Sequence, residues 1–340
     1  GMNADLKKFA KDDFPDAKID LFACFIERGF TLAKETGHNA MVTMQSWMFL
    51  SSFEKMRVRL LEDRTITTMA HLGARAFGSI SGEVVQVTAF AMRNQPPQGY
   101  HPAFFRLLDG GEEEKRTALV RGESRSDTTV QGEFKKIPGA PVAYWVSDKT
   151  REIFAESKPT GSQVDSKQGL ATADNNRFLR RWHEVSTSSI GFRMRSSEEA
   201  HLSTLRWFPY NKGGQFRRWY GNHEFIVNWE EDGREIKEYV THRYPYLKGN
   251  IDYVIKDRGK FFHESVSWSD VTSSANAFRY YPVGFIYDAT GHSAFFKNTL
   301  DRNLLLSFCN NKFCSEVASV LNPTLHFHIG YFDNLPWPER

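Results

Sequence analysis

The chain has 340 residues, of which 40% are hydrophobic and 25% charged, and its formal net charge is only +3. This composition is typical of an ordinary globular protein, and the length is sufficient for two domains. The weak net charge excludes nucleic-acid binding through overall charge alone, so such a surface requires local clusters of arginine and lysine. No apolar run reaches the roughly 18 residues of a membrane span. The three cysteines have no CxxC spacing, which favours reduced thiols in a cytoplasmic protein.

The first 97 residues predict the order helix, strand, helix, strand, strand. Residues 19–33 carry apolar side chains at helical spacing, and residues 40–44 form a short apolar strand that we expect to be buried. Residues 51–54 fit a capping box that opens the second helix. Residues 65–72 and 83–90 are rich in β-formers and predict a hairpin with an enlarged loop. This order is half of a doubly wound sheet, and one edge of that half needs a partner.

Four sequence motifs follow one another in this segment: DLFxxF from Asp20, GxxxMVTxxxW from Gly37, LGxxxF from Leu72 and VVxVTAF ending at Phe90. The succession resembles motifs V to VIII of amino-group DNA methyltransferases, which share a Rossmann-like sheet. The resemblance implies that Phe25 lies against the adenine of the cofactor. It also implies that Phe77 stacks on a target base flipped out of the duplex. From the residues alone, the favoured alternative is that both rings are core phenylalanines, and only the matched motifs make the two interpretations comparable.

Two parts of such an enzyme are absent from these 340 residues. The family's catalytic Asn-Pro-Pro-Tyr (or Phe) is not found, and the nearest string, residues 94–97, has a different order. The Gly-rich loop that binds S-adenosylmethionine is also not found, because no glycine cluster follows a strand and opens a helix. We therefore expect no catalytic residue in this segment. S-adenosylmethionine is expected as cofactor of the complete enzyme, and no cofactor is expected for this segment alone.

Residues 98–340 differ in pattern, with short strands, frequent Gly and Pro, and no long amphipathic helix predicted before Asn298. Residues 110–132 predict a hairpin tip or mobile loop, and the Asp232-Gly233 pair predicts a hairpin turn. The fold class expected is α/β and α+β: a partial Rossmann-like methyltransferase sheet (1–97) followed by a mostly β mixed target-recognition domain (98–340).

Five long stretches in this second part extend the resemblance. They begin IPGAPVAYWVS, QGLATADNNRFLRRWHEV, RWFPYNKGGQFRRWYGN, WSDVTSSANAFRYYPVGF and LLLSFCNNKFCSEVASVL. Their order is similar to the target-recognition region of PglX-type adenine methyltransferases of BREX phage-defence systems, which are related to type IIG restriction-modification enzymes. The resemblance implies double-stranded DNA, the missing N-terminal half of the methyltransferase and other defence-system proteins as partners.

The residues themselves also point to DNA contact. Amide groups can pair with adenine edges, guanidinium groups with guanine edges or phosphates, and glycines allow close backbone approach. The alternative for each of two clusters is a solvated basic face with structural aromatics. The candidate DNA-binding residues are Asn175, Asn176, Arg177, Arg180 and Arg181 in the first cluster, and Lys212, Gln215, Arg217, Arg218 and Trp219 in the second.

Two weaker patterns carry no assignment. Glu235-Ile236-Lys237 has the spacing found in many nucleases, but it follows the predicted hairpin turn and favours an exposed charged strand. His326 and His328 could share one face of a strand, yet two histidines without a third ligand favour structural histidines. No metal site is therefore expected.

The sequence predicts the DNA sequence recognition segment of an S-adenosylmethionine-dependent methyltransferase that acts on the exocyclic amino group of adenine and is inactive alone. The alternative is a stand-alone, non-enzymatic DNA-binding specificity protein from a split gene. An upstream reading frame with the Gly-rich loop and the tetrapeptide would favour the first interpretation.

Overall fold

The computed structural model describes residues 1–78, 85–271, 276–322 and 326–338. The chain forms two compact units, Gly1–Glu156 and Ser157–Arg340. Each unit has a hydrophobic core of its own. The mixed α/β and α+β character expected from the sequence is confirmed by the elements of both units.

The first unit contains five helices and five strands within its described residues. They are α1 (Ala4–Asp13), α2 (Leu21–Leu32), β1 (His38–Met44), α3 (Glu54–Asp63), β2 (Thr65–Gly73), β3 (Val87–Arg93), β4 (Ala103–Arg106), α4 (Glu112–Val120), β5 (Arg125–Ser126) and α5 (Asp148–Glu156). The predicted order of helix, strand, helix, strand, strand is confirmed by α2 to β3. The predicted hairpin is confirmed by antiparallel pairing of β2 with β3, and part of its loop lies outside the described residues.

The five strands form one sheet in the order β1-β3-β2-β4-β5. Strand β1 pairs antiparallel with β3 and lies at the edge of the sheet. The expectation that residues 40–44 are buried was wrong, because Ala40 is exposed and Val42 is 54% exposed. An apolar run predicts burial only if something covers both faces of the strand, and one face of β1 is uncovered here.

The second helix begins differently from the prediction. Residues 51–53 form a 3-10 turn, α3 follows at Glu54, and no side chain caps its first turn. The predicted capping box was therefore wrong. The apolar stripe is confirmed, because Phe53, Met56 and Leu60 are buried. Packing of this stripe against the core holds the helix without the cap.

The sheet of the first unit continues beyond residue 97. Strand β4 pairs in parallel with β2, and Met69 lies opposite Phe104. Residues 110–132, predicted as a hairpin tip or mobile loop, instead contain α4 and β5. The compact unit therefore ends at Glu156, whereas the predicted boundary lies between residues 97 and 98.

The second unit contains two four-stranded sheets with short helices around them. Its elements are β6 (Asp165–Lys167), α6 (Asn175–Phe178), β7 (Leu179–Arg181), α7 (Ser197–Leu202), β8 (Trp207–Asn211), β9 (Phe225–Asn228), α8 (Glu230–Arg243), β10 (Ser265–Ser269), β11 (Phe278–Tyr281), β12 (Ile286–Tyr287), β13 (Gly291–Phe295), α9 (Thr299–Cys309), α10 (Lys312–Leu321) and α11 (Ile329–Asp333). The sheets have the orders β11-β10-β13-β6 and β12-β8-β9-β7.

Helix α8 corrects two predictions. The Asp232-Gly233 pair does not turn a hairpin, and a 14-residue element that is largely helical occupies residues 230–243, well before Asn298. Asp232 and Gly233 do have positive φ, at 56° and 74°. The chain then continues as a helix because Ile236 and Val240, one helical turn apart, are both fully buried. Glu235 and Lys237 therefore lie on a helix and not on a strand.

No helix in the described ranges is long and apolar enough to cross a membrane.

Candidate nucleic-acid interface

Arg181, the last arginine of the first predicted cluster, and the loop that carries the second cluster leave the β12-β8-β9-β7 sheet at the same end. Strands β7 and β8 both pair antiparallel with β9, so their carboxyl ends lie at the same end of the sheet. Arg181 is opposite Phe225, and so is Tyr210. The next residue along β7, Trp182, donates its backbone N–H to the carbonyl of Glu224 over 3.0 Å. Residues 181–182 and the chain leaving β8 are thus neighbours.

The three arginines of the first cluster differ in their local contacts. Arg177 donates two hydrogen bonds to Oε1 of Glu235, at 2.7 and 3.0 Å, and its guanidinium lies 5.0 Å from the ring centre of Tyr239. Arg180 donates to backbone carbonyls, among them that of Asn176 at 2.8 Å. Arg181 is exposed, and its side chain has no ion pair among the described residues. The sequence provided no way to distinguish these three arginines. Within the described residues, Arg181 is the one of the three whose guanidinium is not held by a carboxylate or a backbone carbonyl.

Asn175 and Asn176 lie on the exposed side of α6. Oδ1 of Asn175 accepts a hydrogen bond from the hydroxyl of Thr172 over 2.6 Å. The helix begins at Asp174, whose carboxylate accepts from the backbone N–H of Arg177 over 3.1 Å. Both amides therefore project from a capped turn at the opposite end of β7 from Trp182.

The second cluster is a loop that leaves β8 through two glycines. Gly213 has φ +76° and Gly214 has φ +125°, conformations that side-chain-bearing residues rarely adopt. Lys212 at the base of the loop pairs with the buried carboxylate of Asp288 over 2.8 Å. The amide of Asn222 donates to the carbonyl of Gln215 over 3.0 Å and closes the loop. The backbone of the loop is thus held in one conformation, and the ammonium group of Lys212 helps to hold it through the ion pair with Asp288.

The tip of this loop presents cations together with aromatic rings. Arg217 is 52% exposed in its side chain and lies 3.8 Å from Glu224. The guanidinium of Arg218 lies 5.3 Å from the ring centre of Phe216. Trp219 is 50% exposed, although its backbone is fixed by hydrogen bonds to both Phe278 and Tyr280. These side chains are presented to solvent from a backbone that is held in place.

A groove of about 1360 Å³ lies in this unit, and it is lined by Trp182, which follows the first cluster, and by Tyr220, which follows the second. Arg193, Arg195 and Lys260 also line it. The sequence analysis missed these three cations, although the string GFRMRSS places Arg193 and Arg195 close to Phe192. The groove therefore combines cations with aromatic rings, of which Phe192 is 50% exposed.

Two histidines, His223 and His263, line the groove together with Glu264. His223 contacts the rings of Tyr220 and Phe285, with centroids 4.4 and 4.9 Å away. Burial lowers the pKa of His223, which favours the neutral imidazole. His223 therefore does not add to the positive charge of the arginines and the lysine in the groove.

Phe25 and Phe77 lie in the first unit, and both are exposed. Phe25 on α2 is 60% exposed, and Phe77, in the bend after β2, is 40% exposed. Neither ring is a core residue, so that alternative is excluded for both. The roles implied for them by the resemblance remain predictions.

Exposed apolar side chains lie on both elements at the edge of the first unit. Phe25 and Leu32, two helical turns apart on α2, are 60% and 72% exposed. Helix α2 packs on the face of β1 that carries Asn39, whose side-chain amide donates to the carbonyl of Ile26 over 2.9 Å. Val42 is 54% exposed on the opposite face of β1. Exposed apolar groups on and beside an edge strand are typical of a surface that another layer covers.

The fold and the sequence place the chain in one class of proteins. A family model described as Eco57I restriction-modification methylase matches residues 1–77. The type IIL restriction-modification enzyme MmeI, solved in complex with DNA, has a similar fold, with a TM-score of 0.56 and 10% sequence identity. That similarity covers 90% of this chain and 40% of the MmeI chain. The chain is thus related to restriction-modification methylases.

Two curated proteins make the relationship specific. The adenine-specific methyltransferase BrxX of Escherichia coli O9:H4 (strain HS) is 42% identical over 339 residues, which is 99% of this chain and 26% of BrxX. The adenine-specific methyltransferase PglX of Lacticaseibacillus casei (strain Zhang) is 38% identical over 347 residues, 100% of this chain and 28% of PglX. The chain is a homologue of one segment of the PglX/BrxX methyltransferases, which confirms the resemblance seen in the motifs. It spans about a quarter of the length of these relatives.

Proposed function

We propose that the chain is the segment of an S-adenosylmethionine-dependent adenine DNA methyltransferase that reads the DNA sequence, and that it is inactive by itself. The observation that carries this proposal is that Arg181 and the loop of the second cluster leave one end of a sheet, in a unit whose groove is lined with arginines and aromatic rings. Such a surface suits a phosphate backbone and base edges, because arginine can contact both. The relationship to the PglX/BrxX methyltransferases supports DNA as the ligand.

Within this proposal the groove side of the second unit carries the DNA-reading surface, centred on Arg181, Arg217 and Arg218. The target-recognition role proposed for residues 98–340 then belongs to residues 157–340, because residues 98–156 complete the sheet of the first unit. Cytoplasmic location and other defence-system proteins as partners belong to the same proposal.

The first unit would supply one half of the methyltransferase core. Its partner is the half that carries the Gly-rich loop and the catalytic Asn-Pro-Pro-Tyr, and we place that half against the apolar edge formed by α2 and β1. The edge position of β1, with Phe25 and Leu32 exposed on α2 and Val42 exposed on the opposite face of β1, supports this placement. Phe25 would then meet the adenine of the cofactor, and Phe77 would stack on the flipped target base.

The DNA surface is tested by the paired variant Arg181→Ala/Arg217→Ala. Each phosphate contact contributes about 0.9 to the slope of log affinity against log salt, so losing two contacts should lower the slope by about 2. The matched control is Arg116→Ala/Arg121→Ala, which removes two exposed arginines from the first unit. Mobility-shift series at several salt concentrations measure both. An unchanged affinity and slope in the groove variant would contradict the assignment.

Binding of S-adenosylmethionine tests the claim of inactivity. We expect negligible binding, because Phe25 is the only cofactor-contacting residue proposed for this chain. One stacked face contributes about 1–3 kcal/mol, which does not offset the entropy lost on association. A calorimetric titration that returns a micromolar dissociation constant would overturn this expectation.

A stand-alone DNA-binding specificity protein remains the second candidate, since each unit has its own core and could fold independently. One experiment distinguishes the two candidate functions: the chain is mixed with the missing methyltransferase half, and methyl incorporation into DNA is measured. Methylation that requires both pieces supports the enzyme segment. DNA binding without methylation in the mixture supports the stand-alone reader.

A further inference from the structure

Three side chains that no proposed role uses converge at the end of the β11-β10-β13-β6 sheet. Asp270 follows β10, His292 lies on β13, and His328 precedes α11. One ligand atom from each lies within 4.8 Å of the others. Oδ1 of Asp270 is 3.0 Å from Nδ1 of His328 and 3.5 Å from Nε2 of His292. The sequence could not place these residues together, because they come from three separate segments.

Backbone hydrogen bonds hold all three segments in register. The N–H of Asp270 donates to the carbonyl of Thr290 over 2.9 Å, and the N–H of Phe327 donates to the carbonyl of Asp270 over 2.7 Å. His292 pairs with Trp268 across the sheet, and the indole N–H of Trp268 donates to the carbonyl of Phe327 over 2.8 Å. The cluster is therefore prearranged by the fold.

His292 is the unusual member of the cluster. It is only 2% exposed, and neither of its ring nitrogens has a hydrogen-bond partner within the described ranges. Oδ1 of Asp270 is likewise buried, and its contacts with His328 and His292, at 3.0 and 3.5 Å, do not have hydrogen-bond geometry. Buried polar atoms are normally satisfied, because leaving one unpaired costs about 1–3 kcal/mol. The two unsatisfied atoms face each other across 3.5 Å, which is too long for a good hydrogen bond.

We propose that Asp270, His292 and His328 bind a divalent transition-metal ion, with Zn²⁺ as the ion that suits them best. Two imidazoles and one carboxylate are a common zinc ligand set, and three protein ligands leave a fourth position for water. Zinc bonds of 2.0–2.2 Å in tetrahedral geometry place ligand atoms roughly 3.3 Å apart, close to the observed 3.0 and 3.5 Å.

The surroundings match what a zinc site requires. His326 lies 3.4 Å from Oδ2, the second oxygen of Asp270, and so holds the carboxylate from its far side. His328 is 59% exposed in its side chain, which leaves solvent access to the fourth position. By binding Asp270, His292 and His328 together, the ion would link residues 326–328 to the ends of β10 and β13.

The competing explanation is a set of histidine–aspartate ion pairs without metal. A single carboxylate beside three imidazoles could form such pairs with His326 and His328, but its contact with His292 is 3.5 Å, longer than a good hydrogen bond. A metal ion uses His292 directly. The two explanations therefore differ in whether the chain binds one equivalent of metal.

The test uses the full chain after dialysis against a chelator. Titration with Co²⁺ should give visible absorption bands that saturate at one equivalent, and Zn²⁺ should displace the Co²⁺ and raise the melting temperature. His328→Ala and Asp270→Asn should each weaken Zn²⁺ binding by at least about 10–100-fold, the loss that follows removal of an outer partner of a metal site. His242→Ala, at an exposed histidine of α8, should leave binding unchanged.

His328 is exposed, so His328→Ala is expected to fold, and its melting temperature without metal should equal that of the unchanged chain. Hydrogen exchange should show that Zn²⁺ protects residues 326–333 in the unchanged chain and not in this variant. Absence of stoichiometric binding, or equal Zn²⁺ affinity in His328→Ala and His242→Ala, would overturn the proposal.

Discussion

The two units expose different kinds of side chains and use their buried charges differently. The first exposes an apolar stripe, Phe25 and Leu32 on α2, and also Val42 on the edge strand β1. The second exposes aromatic rings interleaved with arginines, such as Trp182 beside Arg181. An apolar stripe is stabilised when another protein layer removes it from water, whereas arginines and aromatics suit an anionic ligand that remains partly hydrated.

The buried charges of the two units differ in what they hold. The first unit buries cations that hydrogen-bond to backbone carbonyls, Arg57 and Lys115 among them. The second buries the carboxylate of Asp288, which holds Lys212 at the base of the proposed DNA loop, and the guanidinium of Arg279, which donates to the carbonyl of Arg217 in that loop. Charge in the first unit therefore fixes the chain internally, whereas charge in the second unit positions a surface loop. The predictions below test that difference, from the largest expected effect to the smallest.

The largest effect is expected from Arg57→Met in the first unit. Arg57 is 1% exposed, and its guanidinium donates to the carbonyls of Trp47, Leu50, Gly139 and Ala140. Methionine keeps much of the volume but leaves several buried carbonyls unsatisfied, each at about 1–3 kcal/mol. We expect a loss of at least about 3 kcal/mol in the free energy of unfolding, measured by urea denaturation.

The matched control is Arg59→Met, two residues along the same helix, where the guanidinium is half exposed and pairs with Asp16 and Glu27. Exposed ion pairs contribute about 0–1 kcal/mol, so this change should cost much less. Equal losses in the two variants would mean that Arg57 does not hold the interior as proposed.

The second effect is a pH dependence that originates at His71. Burial, and then the nearby charges of Arg106 and Lys115, lower the pKa of His71 to about 4 in the folded chain, against 6.5 in the unfolded chain. The unfolded chain therefore binds the proton first, so this stability is complete above pH 6.5 and is lost as the pH falls toward 4. A shift of this size corresponds to about 3 kcal/mol.

Unfolding free energies measured between pH 4 and 7.5 check this in the unchanged chain and in His71→Gln. The glutamine variant should lose most of the pH slope, although it is less stable at pH 7. His201→Gln, at an exposed histidine of the second unit, should keep the slope. An identical slope in the unchanged chain and in His71→Gln would contradict the assignment.

The third effect separates two arginines of the first basic cluster. Arg181→Ala should lower the slope of log DNA affinity against log salt by about 0.9, the value for one phosphate contact. Arg177→Ala should leave that slope unchanged, because Glu235 and Tyr239 already occupy its guanidinium. Mobility shifts at several salt concentrations measure both variants. If Arg177→Ala lowered the slope more than Arg181→Ala does, Arg177 would have to be assigned to the DNA-contacting surface.

The smallest effect on stability is expected from Phe77→Ala. Because Phe77 is exposed in a bend, its truncation should change the free energy of unfolding by about 0.5 kcal/mol or less. Phe104→Ala, which truncates a fully buried ring of the same unit, should cost about 3–5 kcal/mol. In the full-length enzyme, Phe77→Ala should lower methylation more than Phe77→Trp does, because tryptophan keeps a stacking face. Equal methylation in these two variants would argue against base stacking.

Local periodicity predicted the elements that form their contacts nearby in the chain. Helix α2, helix α3 and the β2–β3 hairpin are confirmed, because their apolar spacing and turn residues act over a few residues. Helix α9 begins after Asn298, as expected, and the Asn298 side chain accepts from the N–H of Asp301. The Asp232-Gly233 turn failed as a hairpin signal because burial of Ile236 and Val240 favours a helix there.

The sequence by itself determined the relationship to the adenine methyltransferases, the order of elements up to β3, and the two basic clusters as candidates. Only the tertiary structure decided that β4 and β5 extend the first sheet past residue 97 and that β1 is an exposed edge. It also decided which arginines are hydrogen-bonded to carbonyl or carboxylate oxygens. The same tertiary structure brought His292 close to Asp270 and His328. The physical reason is that pairing between distant strands depends on competition among all possible partners, which no local spacing records.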